Sequence, residues 1–246
     1  MAGGGRSGGD WVEAVRDRML PSADAVGLDR SSLIVAVLAA VVLVGFTGSW
    51  RLLRVAVTLV HELGHALVGV LAGRRFTGFV VRGDMSGHAV TVGPARGLGR
   101  VVTTWAGYPA PGIVGALMVG CSARGWAAPL LSAVLAVLLV TATRIRSLGT
   151  AGVVAGAIAG VAGLWWWRDD GVQAMVVSAV GVVLLLGAWR HLAALARTPR
   201  GDRVSDPAVL ARLTGIPRLV WLLTFVLALA GATWLAAGLA STLFCA

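Results

Sequence analysis

The chain is dominated by apolar runs that are long enough to cross a lipid bilayer. A hydrocarbon core of about 30 Å takes roughly 20 helical residues to span. We find such runs at residues 32–50, 52–73, 101–120, 126–143, 148–167, 172–189 and 219–239. Because 57% of the residues are hydrophobic and only 13% are charged, the composition lies outside the range of soluble globular proteins. The sequence therefore predicts an all-α polytopic membrane protein with about seven transmembrane helices.

The placement of the arginines predicts the orientation of these helices. All the basic residues are arginines, and most of the 21 lie in the first 31 residues or in the loops after the second, fourth and sixth runs. Because positively charged loops stay in the cytoplasm, we expect a cytoplasmic N-terminal segment at 1–31 and a cytoplasmic loop at 190–218. Residues 32–246 would form the membrane-embedded domain, with the C-terminus outside. Arginines that face anionic lipid explain the net charge of +10 without a nucleic-acid partner.

The stretch RRFTGFVVRGDMSGHAVTVGP, which follows the second run, has the composition of a β-hairpin. It is rich in β-branched and aromatic residues, and GDMSG interrupts it with turn-forming residues. We expect a small hairpin from about Phe76 to Val92, within the segment 75–93 and directly behind the second helix.

The third run is interrupted by GYPAPG, in which Pro109 and Pro111 each remove a backbone donor. Such an interruption is tolerated in a membrane only where protein or water satisfies the freed carbonyl groups. It fits a kinked helix that lines a cavity, and it fits a purely structural kink equally well.

The second run contains TLVHELGHALVG, in which two histidines and a glutamate stand among apolar residues. On a helix, His61 and His65 are one turn apart, so both imidazoles project from one face and can share a metal ion. Glu62 lies about 100° round the helix from His61, where it can accept a proton from an attacking water. An ionisable residue at the bilayer centre costs roughly 2.5–3.5 kcal/mol, which favours a functional role. The alternative is a buried polar cluster or part of a proton pathway.

A transmembrane HELGH segment with a β-hairpin behind it resembles the site-2 protease family of intramembrane zinc metallopeptidases, especially its compact bacterial M50B-like members. The resemblance implies hydrolysis of peptide bonds in membrane protein substrates, in the cell membrane of a bacterium. It implies Zn²⁺ as the cofactor, His61 and His65 as ligands, and Glu62 as the catalytic base and acid. The hairpin would offer an edge strand to an unwound substrate, because strand addition exposes a bond that a helix hides.

The third zinc ligand is not where the family usually has it. That ligand is the aspartate of an N-x-x-P-x-P-x-L-D-G motif, and in AGYPAPGIVG the asparagine and aspartate positions hold Ala106 and Val114. Zinc hydrolases need three protein ligands and one open position. Asp206 is our candidate, since SDPAVLARLTGIP resembles the Ser-Asp segment of M50B-like relatives and could return to the site as a re-entrant loop. Three other residues remain possible ligands: Asp202, Asp84 and His88.

Asp206 also has a simple structural interpretation. Ser205 or Asp206 could cap a short helix that has Pro207 at its first position. This interpretation and zinc ligation are both open on the sequence alone.

The sequence thus favours an intramembrane zinc metalloprotease over two other functions. One is a catalytically inactive zinc-binding scaffold, which the missing asparagine and aspartate make credible. The other is a transporter or proton pathway that uses His61 and Glu62 as a relay. Cys121 and Cys245 fall near predicted outer helix ends, where a disulfide is chemically possible, although two unpaired thiols are the favoured state.

Overall fold

The computed structural model describes residues 8–22, 30–81, 87–145, 147–199 and 201–241, without the side chains of 8–10, 79–81 and 87–89. These residues form ten helices and a two-stranded sheet. The elements, in chain order, are α1 Gly8–Asp17, α2 Arg30–Gly45, α3 Thr47–Leu71, β1 Arg75–Val81, β2 Gly87–Val92, α4 Leu98–Trp105, α5 Pro109–Ser122, α6 Ala127–Ala142, α7 Leu148–Trp166, α8 Asp170–Ala196, α9 Asp206–Thr214 and α10 Arg218–Ser241.

Four of the described helices, α3, α7, α8 and α10, are long and apolar enough to cross a membrane. They correspond to the second, fifth, sixth and seventh apolar runs. Three shorter apolar helices, α2, α5 and α6, correspond to the other runs. The helical fold class is therefore confirmed, while the count of seven spans stays a prediction.

The boundary between the first two runs differs from the expected one. Sequence reasoning placed it near residue 51, but α2 ends at Gly45 and α3 begins at Thr47. Phe46 has an extended backbone conformation between the two helices. Hydropathy places the boundary at the charged Arg51, but the polar residues Thr47, Ser49 and Arg51 all belong to the first turns of α3.

The centre of the bundle is the packing of α5 against α8, with α10 on the other side of α5. Glycines allow the first pair to approach closely: a Cβ added to Gly115 would lie 2.5 Å from the carbonyl oxygen of Gly181. A Cβ on Gly112 would meet the Leu229 side chain of α10 at 2.4 Å. Small residues at helix contacts are typical of membrane bundles, and here they let α5 pack closely against both α8 and α10.

The described N-terminal segment, residues 8–22, packs at the end of the bundle that holds the α5–α6 and α7–α8 connections. The backbone N–H of Ser22 donates to the carbonyl of Gly125 at 3.0 Å. Arg18 Nε donates to the carbonyl of Trp166, at the end of α7, at 3.2 Å. At the start of α7, by contrast, the Arg144 guanidinium bonds to the Phe76 carbonyl of the hairpin.

In the described residues, this segment and the arginine-rich loops therefore lie at opposite ends of α7, which does not support the predicted location of both in the cytoplasm. The reason is the path of α2 and α3. Arg190, near the end of α8, donates to the Val44 carbonyl at the end of α2. Trp50, in the first turn of α3, contacts the ring of His191, also near the end of α8. So α3 starts at the arginine-rich end, and only α2 lies between it and the N-terminal segment.

The predicted hairpin is confirmed. Strands β1 and β2 pair antiparallel from Arg75 with Val92 to Val81 with Gly87, with a bulge between Phe76 and Gly78. Both strands contact the end of α3. Cys121 is a free, half-buried thiol, and Cys245 lies outside the described residues.

Candidate metal centre

The side chains of the two histidines of the HELGH segment lie next to each other. His61 and His65 are one turn apart on α3, and their Nε2 atoms are 3.1 Å apart. The two rings are nearly perpendicular, with centroids 4.7 Å apart. Two imidazole nitrogens at this distance bring their lone pairs into close opposition unless a proton or a cation lies between them.

The ring of His65 is held from behind by α4. Its Nδ1 lies 2.7 Å from the carbonyl oxygen of Thr103. Because a carbonyl only accepts, Nδ1 must carry the proton, and the lone pair of the neutral ring is then at Nε2. A hydrogen bond of this kind to the remote nitrogen is the usual support of a metal-binding histidine.

Asp206, from a distant part of the chain, completes the constellation. Its Oδ2 atom lies 3.4 Å from His61 Nε2 and 3.2 Å from His65 Nε2. Asp206 is the first residue of α9, and Pro207 follows it at a position where a missing N–H costs nothing. Leu210 is fully buried against α8 and α10 and anchors α9 beneath the site.

Capping does not explain Asp206. The residue preceding α9 is Ser205, and its side chain makes no capping hydrogen bond. The nearby Asp202 stabilises the turn instead: its Oδ1 accepts from the N–H groups of Val204 at 2.9 Å and Ser205 at 3.2 Å. The Asp206 carboxylate is thus left to the imidazoles.

Electrostatics keep Asp206 ionised. Burial by itself would raise the pKa of its carboxyl group, but in the metal-free protein hydrogen bonds and positive charge from the protonated forms of His61 and His65 outweigh burial and hold the pKa far below its usual value. An ionised carboxylate next to two imidazoles is a donor set that suits a divalent cation.

The three ligand atoms fit zinc. Among the residues that the structure describes, His61, His65 and Asp206 are the group whose ligand atoms all lie within 4.8 Å of one another. Tetrahedral zinc with bonds of about 2.0–2.1 Å requires ligand atoms roughly 3.3 Å apart, close to the spacing found here. Of the other candidates, Asp202 is used in the turn, and Asp84 and the His88 side chain lie outside the described residues.

The AGYPAPG segment forms the wall of the site but supplies no ligand side chain. It is the turn from α4 to α5, and Pro109 begins α5. A Cβ added to Gly107 would lie 2.4 Å from the His65 ring and 2.7 Å from that of His61, so only glycine fits there. The Tyr108 ring stands edge-on to His61 at 4.8 Å.

The sequence patterns do not identify three parts of the site, which are Gly107, Tyr108 and the Thr103 carbonyl. The proline pair at 109 and 111 was a usable signal for the wall, since it indicated a break that could line a cavity. The role of Thr103 is carried by a backbone atom and therefore has no signature in the sequence.

Glu62 is buried, with 6% of its surface exposed, and it borders a cavity of about 450 Å³ that His61, one of the three ligand candidates, also lines. Its polar lining joins α3 to the end of α8 and to the loop before α9: Arg54, Thr58, His61, Glu62, Tyr108, His191, Thr198, Asp202 and Ser205. The cavity therefore lies between the candidate site and the end of α8.

Comparison with known proteins identifies the family of the chain. The sequence model of a family described as Peptidase M50B-like matches residues 34–236, which is most of the chain and includes every element from α3 to α9. No curated protein and no solved structure matches the chain.

Proposed function

Because the chain belongs to the Peptidase M50B-like family, we propose that it is an intramembrane zinc metalloprotease that cleaves membrane-spanning or membrane-associated proteins. The observation that carries the proposal is the meeting of His61, His65 and Asp206 at 3.1–3.4 Å beside a buried glutamate. The four long apolar helices support a location within a membrane.

The zinc ligands in this proposal are His61 Nε2, His65 Nε2 and Asp206 Oδ2. When bound, zinc supplies Lewis acidity, which activates a water molecule and polarises a carbonyl group. Thr103 orients the His65 ring, and Gly107 leaves room for both rings beside the α4–α5 turn.

Glu62 is the proposed proton carrier. One carboxylate oxygen accepts a proton from the attacking water, and the same group then donates it to the nitrogen of the departing amine. The products are a new carboxylate and a new amine, and Glu62 returns to its ionised form. The burial of Glu62 and its position at the cavity support this role.

The hairpin is the proposed substrate guide. In a two-stranded sheet each strand has one edge without a strand partner. An extended substrate segment can add to such an edge through main-chain hydrogen bonds. The hairpin contacts the end of α3, so it would deliver the segment toward the HELGH turn.

We further propose that the arginine-rich end of the bundle faces the cytoplasm, in the cell membrane of a bacterium. The loops after α3, α6 and α8 meet at this end and carry the excess of arginine. The end that holds α1, Gly125 and Trp166 would then face outward.

The test is to purify the full chain in detergent, measure bound zinc, and follow cleavage of a membrane-spanning peptide by wild type and Glu62→Gln. We expect bound zinc in both proteins and a rate at least about a hundredfold lower in the variant. Cleavage by Glu62→Gln at the wild-type rate would remove Glu62 from the mechanism. Zinc without turnover on a panel of membrane-spanning peptides would favour the scaffold, and transport by metal-free protein would favour the proton pathway.

A further inference from the structure

A second cleft, separate from the metal centre, lies between the loop that follows the hairpin and helix α9. Its volume is about 480 Å³. Three arginines from three parts of the chain converge on it: Arg74 after α3, Arg100 in α4 and Arg212 in α9. Val209 and Leu213 of α9 supply apolar surface beside them. We call this feature the arginine cleft.

The positive charge of the arginine cleft is not neutralised within the described chain. None of the carboxylates that the structure describes forms a salt bridge with Arg74, Arg100 or Arg212. Burial and the nearby charge of Arg100 together lower the pKa of Arg74, which indicates like charges held close to one another. Convergent cations without an internal partner are typical of a site for an external anion.

Arg74 is the fixed member of this group. Its guanidinium donates to the Thr91 hydroxyl at 3.2 Å, to the Thr91 carbonyl at 3.3 Å and to the Pro94 carbonyl at 2.7 Å. These bonds tie the base of the hairpin to the following loop, and this structural role is sufficient to explain Arg74. They use three of its five N–H donors, so donors remain for a ligand. Tying the hairpin does not explain why Arg100 and Arg212 converge on the same space.

The surroundings of the cleft indicate what kind of anion it takes. Val92, which lines the cleft at the end of β2, is 53% exposed. Leu98, which begins α4 two residues before the cleft residue Arg100, is 82% exposed. Large apolar side chains exposed next to arginines are expected at a bilayer surface, where the chain meets both acyl tails and headgroups. An acidic protein segment would satisfy the arginines but would leave these apolar side chains without a partner.

We propose that the arginine cleft binds the phosphate group of an anionic phospholipid, with the acyl chains along Val92 and Leu98. The guanidinium groups of Arg100 and Arg212 contact the phosphate oxygens, and Arg74 contributes its remaining donors. The lipid thereby bridges the loop that follows the hairpin to α9, the helix that carries Asp206.

The test uses the full chain, stripped of lipid in detergent and titrated with short-chain phosphatidylglycerol or phosphatidylcholine under native mass spectrometry. We expect phosphatidylglycerol to bind at least about tenfold more tightly. Arg100→Gln and Arg212→Gln should each weaken its binding about fivefold. Arg197→Gln is the matched control, since Arg197 is an exposed arginine near the same end but outside the cleft. Arg74 is left intact, because its loss would also loosen the hairpin.

Three results would overturn the proposal. Equal affinity for the two lipids would mean that charge is not recognised. An equal loss in Arg197→Gln would mean that the whole basic surface attracts lipid, rather than this cleft. Displacement of the lipid by inorganic phosphate or by an acidic peptide at comparable concentration would assign the cleft to a soluble anion or to a protein segment. Binding is measured without turnover, so these outcomes do not depend on whether the chain is a protease.

Discussion

The carboxylate of Asp206 lies 3.2 Å from the Nε2 atom of His65, although the two residues come from helices far apart in the chain. Five helices of the bundle, α4 to α8, lie between the hairpin and α9 in sequence order. The contact forms because α9 is anchored against α8 and α10 while α3 is held against the α4–α5 turn. The position of Asp206, the proposed third ligand, is therefore a product of tertiary packing and not of a local motif.

We expect Asp206→Ala to lower zinc affinity by at least about a hundredfold, since it removes one of three proposed ligands and residues that merely support ligands already contribute 10–100-fold. Asp202→Ala is the control, because Asp202 caps the turn before α9 and does not reach the imidazoles. Its zinc affinity should change by less than about tenfold. Competition with a chromogenic chelator measures both. Equal losses in the two variants would contradict ligation by Asp206.

Gly107→Ala should abolish zinc binding without unfolding the chain. The added methyl group would lie 2.4 Å from the His65 ring, so the rings must move apart. The backbone at Gly107 has no positive φ and accepts alanine. Gly152→Ala is the matched control, since a Cβ there meets nothing within 4 Å. Zinc content and thermal unfolding of the purified variants check this. Full zinc content in Gly107→Ala would show that the turn does not confine the histidines.

The residues of the candidate metal site on α3 and the one on α9 differ in how well the sequence predicts them. His61, Glu62 and His65 were identified because helical periodicity alone places the two imidazoles on one face. The hairpin was identified from its composition and its turn. Asp206 could be proposed only by resemblance, because its position depends on how α9 packs beneath the histidines.

The sequence does not predict at which end of the bundle the N-terminal segment lies. Counting arginines assumes that each apolar run crosses the membrane once. Here Trp50, in the first turn of α3, contacts His191 near the end of α8, and a count of arginines contains no information on such packing. Contacts such as those of Arg18 with Trp166 are long-range, and no local pattern encodes them.

Leu210→Ala should destabilise the protein by about 2–5 kcal/mol and also weaken zinc binding. Leu210 is fully buried and joins α9 to the cluster that contains Leu192 and Phe225. Loss of this anchor frees α9 to move, and with it the proposed ligand Asp206. The exposed Val204, in the loop before α9, provides the control Val204→Ala, which should change neither property. Chemical denaturation and zinc titration measure the two effects, and destabilisation with unchanged zinc affinity would contradict the coupling.

The last prediction concerns the two ends of the bundle. In a chain with Cys121 and Cys245 replaced by serine, a cysteine at Leu20 and one at Gly201 should be labelled from opposite sides of the membrane by an impermeant maleimide. The reason is that Leu20 lies beside Arg168, after the end of α7, whereas Gly201 follows α8 at the arginine-rich end. Intact cells should label Leu20→Cys, and inverted vesicles should label Gly201→Cys, if positive loops stay inside.

Labelling of both from one side would contradict the packing of the N-terminal segment, and exchange of the two sides would contradict only the proposed orientation. A cysteine at Arg203, in the same loop as Gly201, should follow Gly201→Cys in either preparation.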